Sequence, residues 1–279
     1  MLVDLHTHTY LSDGTMSPKE IVEKAKKNNV GIISITDHNK INSWNEFKEV
    51  ALENNITPIK GVEINVAYKG KILHLLAYNF NNTENLLKLI NKADLEMEQM
   101  SIDLVDKLSQ DNDRVSLIDY KEYEYNRLNG GWKGLHYLFD KNVTKKLFDG
   151  FNYYRDYGCG YELYDFPQLS EVCKKIKEAN GYSVLAHPYE YYKGLSKDEL
   201  VLELEFLREE GIDGIECYYP THTKLIEETC VEFCKKYNLL ITCGSDDHGE
   251  FGKEAKVLDH SIGCLKVEFS HLNIEKLIK

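Results

Sequence analysis

The chain has 279 residues, 42% of them apolar, and a formal net charge of -12. The apolar share supports a sizeable core and excludes a wholly disordered or low-complexity chain. The acidic balance excludes sequence-independent binding along a long nucleic acid, which needs a broad basic surface, but leaves room for a local basic pocket. No stretch approaches the roughly 20 apolar residues of a membrane helix. The opening Met1-Leu2-Val3-Asp4-Leu5-His6 has neither the basic nor the apolar region of a signal peptide. The seven cysteines contain no C-x-x-C pair. They read as reduced thiols, so a cytoplasmic location is expected.

In chain order, Leu2–Leu5 predicts a short strand. Ser17-Pro18-Lys19-Glu20 has the form of a capping box with proline at the first helical position, so a helix is expected to about Asn28. Gly31–Thr36 predicts a strand, Ser43–Asn54 a helix, Ile56–Val66 a third strand and Lys71–Tyr78 a fourth. The rhythm lapses over about 81–167. There 84–109 reads as one or two amphipathic helices, followed by a segment rich in tyrosine, glycine and charge. It resumes with a helix over 169–180, a strand over 182–186, a helix near 197–210, a strand over 214–218, a helix over 222–237 and a strand over 239–243. Strands alternating with helices predict a parallel sheet, open or closed into a barrel, in one large α/β unit. The organisation expected is a main domain of 1–80 and 168–279 with a mainly helical insertion of 81–167.

The ligand-type side chains concentrate where predicted strands end. His6 and His8 follow the first strand, Asp37 and His38 the second. Glu63 falls at the end of the third and His74 in the fourth. His187 and Glu216 close the next two, and Asp246, Asp247 and His248 the last. In α/β folds the C-terminal ends of strands converge on one face, where sites are built. Any one of these residues has a bland explanation: a core histidine, a helix cap, an extended residue before a proline. Together they are hard to explain so. Imidazole and carboxylate donors suit Zn, Mn or Fe. Nine candidates, His6, His8, Asp13, His38, Glu63, His74, His187, Asp246 and His248, are too many for one ion. With a bridging carboxylate they suit two or three divalent ions.

The segments Asp4-Leu5-His6-Thr7-His8, Ser12-Asp13-Gly14, Ile35-Thr36-Asp37-His38, Gly61-Val62-Glu63-Ile64, Leu185-Ala186-His187-Pro188, Gly214-Ile215-Glu216 and Gly244-Ser245-Asp246-Asp247-His248-Gly249, with His74 between them, carry a resemblance; Glu216 is not expected to be a ligand. As a set the sequence resembles the PHP (polymerase and histidinol phosphatase) family of metal-dependent phosphoesterases. Ser12-Asp13-Gly14 and the helical insertion look most like its nucleoside 3',5'-bisphosphate phosphatase branch. The resemblance implies a distorted seven-stranded (β/α) barrel. It also implies three metal positions: His6, His8, Glu63 and Asp246 at the first; Glu63, His74 and His187 at the second; Asp13, His38 and His248 at the third. It makes Glu63, Asp246 and His248 the expected catalytic residues. Asp37 and Asp247, beside ligands, are expected to orient imidazoles.

The expected activity is hydrolysis of a small phosphomonoester, most naturally a nucleotide such as a nucleoside 3',5'-bisphosphate or a short oligonucleotide, by a metal-activated hydroxide. Arg155, in a segment similar to one in that branch, is expected to bind a second phosphate, with Lys133, His136 and His222 as weaker substrate-binding candidates. Tyrosine clusters around 120–125, 153–164 and 189–192 are candidates to stack a base. The competing readings are histidinol-phosphate phosphatase and a catalytically silent metal-binding module. A metal-dependent amidohydrolase also begins with His-x-His after a first strand, but no bridging lysine is evident here. The partner expected is a small phosphorylated molecule, with no long nucleic acid and no membrane.

Overall fold

The computed structural model describes residues 1–255 and 259–278. Its centre is a seven-stranded sheet in chain order: β1 (Leu2–Asp4), β2 (Val30–Ile35), β3 (Thr57–Tyr68), β4 (Lys71–Tyr78), β5 (Tyr182–Leu185), β6 (Gly214–Tyr218) and β7 (Leu240–Cys243). Backbone hydrogen bonds also join the chain just after β1 to the chain just after β7. Leu5 N–H donates to Cys243 O at 2.9 Å, and Asp246 N–H donates to His6 O at 2.8 Å.

The sheet is not wholly parallel, contrary to the sequence expectation. β4 runs antiparallel to both β3 and β5, while the other neighbours are parallel. The cause is local. Only Lys69 and Gly70 separate β3 from β4, and both have positive φ, 47° and 73°. A parallel pair needs a crossover of about a dozen residues or more, so this tight turn can only fold the strand back on itself.

Helix α1 (Pro18–Lys27) starts as its sequence dictates. The Ser17 hydroxyl accepts from Glu20 N–H, the Glu20 carboxylate accepts from Ser17 N–H, and three lysines complement the last turn. Ile21, Val22 and Ala25 of α1 pack with Phe47 and Ala51 of α2 (Trp44–Glu53) on Ile33 and Ile35, forming a small apolar cluster under β2. Each fully buried Ile or Phe here contributes about 1.5–3 kcal/mol.

Between β4 and β5 the chain forms α3 (Glu84–Ser109), α4 (Leu117–Glu122), α5 (Lys133–Asp140) and α6 (Gly150–Asp156), followed by α7 (Leu169–Glu178). Ile90, Met100, Leu104 and Leu108 recur at helical spacing along α3 and belong to the same core cluster as Val62 and Leu75 of the sheet. A buried polar link ties these helices together. Ser101 Oγ lies 2.6 Å from Tyr154 Oη, which also accepts from Trp132 Nε1 at 2.9 Å. The later helices are α8 (Tyr189–Tyr192), α9 (Lys197–Glu209) and α10 (Lys224–Tyr237). All seven cysteines are free thiols, with Cys230 and Cys234 on α10. Among the described residues no helix is long and apolar enough to cross a membrane.

Candidate metal centre

The nine candidate ligands converge. His6 and His8 leave β1 on the same side, because alternate residues of an extended chain share a face, and both are fully buried. His38 follows β2, His187 follows β5, and Asp246 and His248 follow β7. Glu63 lies not at the end of β3 but in its middle. There the strand leaves its parallel pairing with β2 (57–60) and takes up its antiparallel pairing with β4 (61–68). That change of partner sends its side chain to the centre of the site and brings His74 of β4 alongside.

Five imidazoles surround the Glu63 carboxylate. Oε1 lies 2.9 Å from His74 Nδ1 and 3.1 Å from His187 Nε2, while Oε2 lies 3.0, 3.2 and 3.4 Å from His6 Nε2, His8 Nε2 and His38 Nδ1. Asp246 Oδ1 is 3.1 Å from His8 Nε2 and 3.4 Å from His248 Nδ1. Asp13 Oδ1 is 3.3 Å from His248 Nε2. Three sets of donor atoms each fall within 4.8 Å of one another: His6, His8, Glu63 and Asp246; His8, Asp13, His38 and His248; His38, Glu63 and His74. The first coincides with the first expected position. The second adds His8 to the expected third. The last has His38 where His187 was expected, and His187 meets Glu63 instead.

Donor chemistry and burial both fit divalent ions. His8 Nδ1 and Nε2, His38 Nδ1, His74 Nδ1 and Asp13 Oδ1 are buried and make no directed hydrogen bond, although they face one another across short gaps. Lone pairs aimed at shared points, rather than at protons, are what an ion-binding cage presents. In the metal-free site the charges are balanced by protons. Burial alone would lower His6, but Glu63, Glu216 and Asp246 raise it well above the usual imidazole range. His8, likewise opposed by burial, is raised to about 10 by the Asp246, Glu63 and Asp13 carboxylates beside it. His38 is lowered to about 3 by burial, which its acidic neighbours do not overcome. Burial pushes Glu63 up, but the imidazoles around it hold it well below the carboxylate range. A bound cation would replace those protons.

A further carboxylate organises the ligands. Glu216 Oε1 accepts from His6 Nδ1 at 3.0 Å, and Oε2 accepts from His187 N–H at 2.8 Å. This fixes the His6 tautomer with Nε2 facing Glu63. The sequence signal for it was a glutamate at a strand end in a family-like segment, expected not to be a ligand but with no role assigned. Asp37 and Asp247, expected to orient imidazoles, instead brace loops. Asp37 accepts from Thr9 N–H at 2.7 Å and from the Thr9 and Ser12 hydroxyls, tying down the turn that carries Asp13. Asp247 accepts from the Gly249 and Ile262 N–H groups, each at 2.8 Å, and from Lys24. Neighbouring residues of an extended chain point apart, so a residue next to a ligand faces away from the ion. Two ligands, Asp246 and His187, have positive φ, 55° and 29°. Their neighbours must hold them there. Gly244 is required by close approach: a Cβ there would lie 2.1 Å from His6 Cβ and 2.4 Å from Glu216 Oε1.

A cavity of about 260 Å³ opens beside the cluster; Asp13, His38 and His74 line it together with Arg127, Lys133, Asp94, Glu98 and the rings of Tyr125, Trp132 and Tyr161. Of the expected substrate-binding residues, only Lys133 lines it, with Nζ 4.7 Å from the Tyr120 ring centre. Arg155 does not. Its side chain is 73% exposed and pairs with its neighbour Asp156 at 3.0 Å, because α6 turns it to solvent. His136 stands behind the wall, donating from Nε2 to Gly130 O at 2.6 Å and stacking on Tyr125 at 4.5 Å. His222 lies off the cavity, donating from Nδ1 to Cys217 O at 2.9 Å. The cation that sequence reasoning missed is Arg127. It precedes the Gly130-Gly131 turn, whose Gly131 N–H donates to Asp13 O at 2.8 Å and so joins this segment to the one that carries Asp13. That glycine pair was its sole sequence signal.

Comparison with known proteins agrees with this arrangement. The chain is 25% identical over 270 residues (93% of this chain, 96% of the other) to a protein of Haemophilus influenzae named 5'-3' exoribonuclease. It is 25% identical over 264 residues (91% and 96%) to the phosphoribosyl 1,2-cyclic phosphate 1,2-diphosphodiesterase of Eggerthella lenta. It is also 25% identical over 269 residues (90% and 90%) to the 3',5'-nucleoside bisphosphate phosphatase of Chromobacterium violaceum. A crystal structure from Bifidobacterium adolescentis, provisionally described as a metal-dependent phosphoesterase, superposes with a TM-score of 0.73 at 25% identity, covering 96% of this chain and 97% of that one. A model of the PHP domain matches residues 4–157, more than half of the chain, and on that match the chain belongs to the PHP domain family.

Proposed function

We propose that this metal-dependent phosphoesterase removes phosphate from a small phosphorylated nucleotide, a nucleoside 3',5'-bisphosphate or the end of a short oligonucleotide, using two or three divalent ions of the Mn, Zn or Fe class. The observation that carries this reading is the cavity, whose lining combines the candidate ligands Asp13, His38 and His74 with Arg127 and several aromatic rings. Its size suits a small ligand rather than folded RNA. A nucleotide bisphosphate offers one phosphoryl group to the ions, a second anion to a guanidinium and a flat base to the rings. Histidinol phosphate has one phosphate and offers no second anion to Arg127. The relatives named for nucleotide substrates support the reading, and the one named for a cyclic phosphate supplies the main competitor.

Bound divalent ions neutralise the phosphate and lower the pKa of water toward neutrality. The protein's own part is placement. Glu63 and Asp246 supply the central carboxylates, and His6, His8 and His187 extend them on the buried side. Asp13, His38 and His74 face the cavity, so the phosphoryl group meets that edge of the cluster. His248 donates from Nδ1 to Asp246 O at 2.9 Å, which leaves Nε2 to face Asp13. Arg127 would anchor the second phosphate and Tyr125, Trp132 and Tyr161 would hold the base, the helices 84–156 thus serving as the recognition element for a catalytic sheet.

The test is phosphate release by the purified protein with Mn²⁺ on adenosine 3',5'-bisphosphate, a 5'-phosphorylated oligoribonucleotide, phosphoribosyl 1,2-cyclic phosphate and histidinol phosphate. The highest kcat/KM is expected on one of the first two. Preference for either of the others, or Mn²⁺ binding without turnover of any, overturns the reading.

A further inference from the structure

We propose that the Tyr219 hydroxyl is the positioning group that aims Asp246, fixing which of its carboxylate oxygens is offered to the metal centre. The inference rests on the metal-binding reading above. The phenol O–H donates to Asp246 Oδ2 at 2.8 Å. The other oxygen, Oδ1, faces the imidazoles, 3.1 Å from His8 Nε2 and 3.4 Å from His248 Nδ1. With Oδ2 engaged by the phenol, Oδ1 is the oxygen presented to the imidazole cluster, and Asp246 would serve there as a one-oxygen ligand.

Three features make this more than a buried tyrosine finding a partner. Asp246 is held at φ 55°, a conformation uncommon for a residue with a side chain, so its carboxylate direction depends on outside support. Its backbone is pinned by its N–H to His6 O at 2.8 Å and by His248 Nδ1 to its own carbonyl at 2.9 Å, and Tyr219 supplies the matching restraint on the side chain. Tyr219 is itself immobile: it is 6% exposed, and its ring centre lies 5.4 Å from that of His187. It therefore touches one ligand while holding another. Finally, Glu216 and Tyr219 are three residues apart and would face opposite sides of a regular strand. The register of β6 on β7 shifts between Glu216 and Tyr218, and both side chains reach the same cluster.

The experiment measures Mn²⁺ affinity of the full chain by chelator competition at fixed pH, in wild type, Tyr219→Phe, Asp246→Asn and the double variant, with melting of each metal-free protein recorded separately. Tyr219→Phe is expected to weaken Mn²⁺ binding about 10–100-fold, the usual effect of removing a group that orients a ligand. In the Asp246→Asn background the same change should cost little, because the phenol then has no carboxylate to aim. Tyr219→His, which keeps a ring N–H donor, should bind Mn²⁺ more tightly than Tyr219→Phe, and this comparison serves if the phenylalanine variant does not fold. Wild-type Mn²⁺ affinity in Tyr219→Phe, or an equal loss in both backgrounds, overturns the proposal. A wild-type protein that binds no Mn²⁺ overturns the metal reading itself, which is a different result.

Discussion

Replacing Glu216 by glutamine keeps the size of the side chain and exposes the logic of the site. The carboxylate has two acceptor oxygens, and both are used: one by His6 Nδ1–H at 3.0 Å, the other by His187 N–H at 2.8 Å. Glutamine has one acceptor oxygen and one NH₂ donor. Whichever way the amide is turned, its NH₂ faces an N–H, unless His6 gives up its Nδ1 proton and with it the tautomer that turns the Nε2 lone pair toward the cluster. An unsatisfied buried donor costs about 1–3 kcal/mol, so the metal-free protein should lose stability of that order. His6 also loses the negative charge that fixes its tautomer and strengthens it as a ligand. Loss of such a partner weakens metal binding about 10–100-fold, or about 1.4–2.7 kcal/mol. Denaturant unfolding of the metal-free protein measures the first quantity and chelator competition for Mn²⁺ the second. Stability within about 0.5 kcal/mol of wild type, the scatter of ordinary surface substitutions, together with unchanged affinity, would refute the assignment of Glu216 as a supporting group.

Three further outcomes follow from the geometry. Arg127→Ala should raise KM for a nucleoside bisphosphate about 10–100-fold, the worth of a charged hydrogen bond, with a smaller effect on a monophosphate, while Arg155→Ala changes neither; the reverse pattern would return the anchoring role to α6. His8 is raised to about 10, so in the metal-free protein its favourable charge is fully present below about pH 6.5 and is lost as pH climbs toward 10. The melting temperature of the metal-free protein should fall over that window, whereas Mn²⁺ affinity should rise with pH as displaced protons become scarcer; equal pH slopes for the two forms would contradict this balance. Gly244→Ala puts a Cβ 2.1 Å from His6 Cβ and should destabilise by about 1–3 kcal/mol in unfolding assays, a wild-type melting point being the contrary result.

Much of the framework was legible because it is written locally. The Ser17–Glu20 cap, the β-strand runs and the ligand-type residues at their ends are short-range signals, and His6-x-His8 puts two imidazoles on one face by period alone. What the sequence did not disclose depends on contacts between distant segments. The antiparallel β4 was hidden in a two-residue turn read as a boundary. Glu63 sits at a change of strand partner, which no one-dimensional pattern marks. Asp37 and Asp247 looked like supports for the neighbouring imidazoles, yet alternation along the backbone sends them to loops, and Glu216, 210 residues from His6, takes that role. In the inserted helices the period places the apolar face of α3 but not the outward turn of Arg155 or the position of Arg127 at the cavity, since both sit near short helices outside that period.

In the proposed function, Glu63 and Asp246 organise the metal centre that hydrolyses the phosphoester. The most direct measurement is phosphate release from adenosine 3',5'-bisphosphate by wild type, chelator-treated wild type, Glu63→Ala and Asp246→Ala, each confirmed to be folded. Turnover with Mn²⁺, its loss on chelation, its recovery on adding the ion back, and no measurable turnover in either variant are expected. Near-normal release by both folded variants, or release indifferent to chelation, would contradict the proposal.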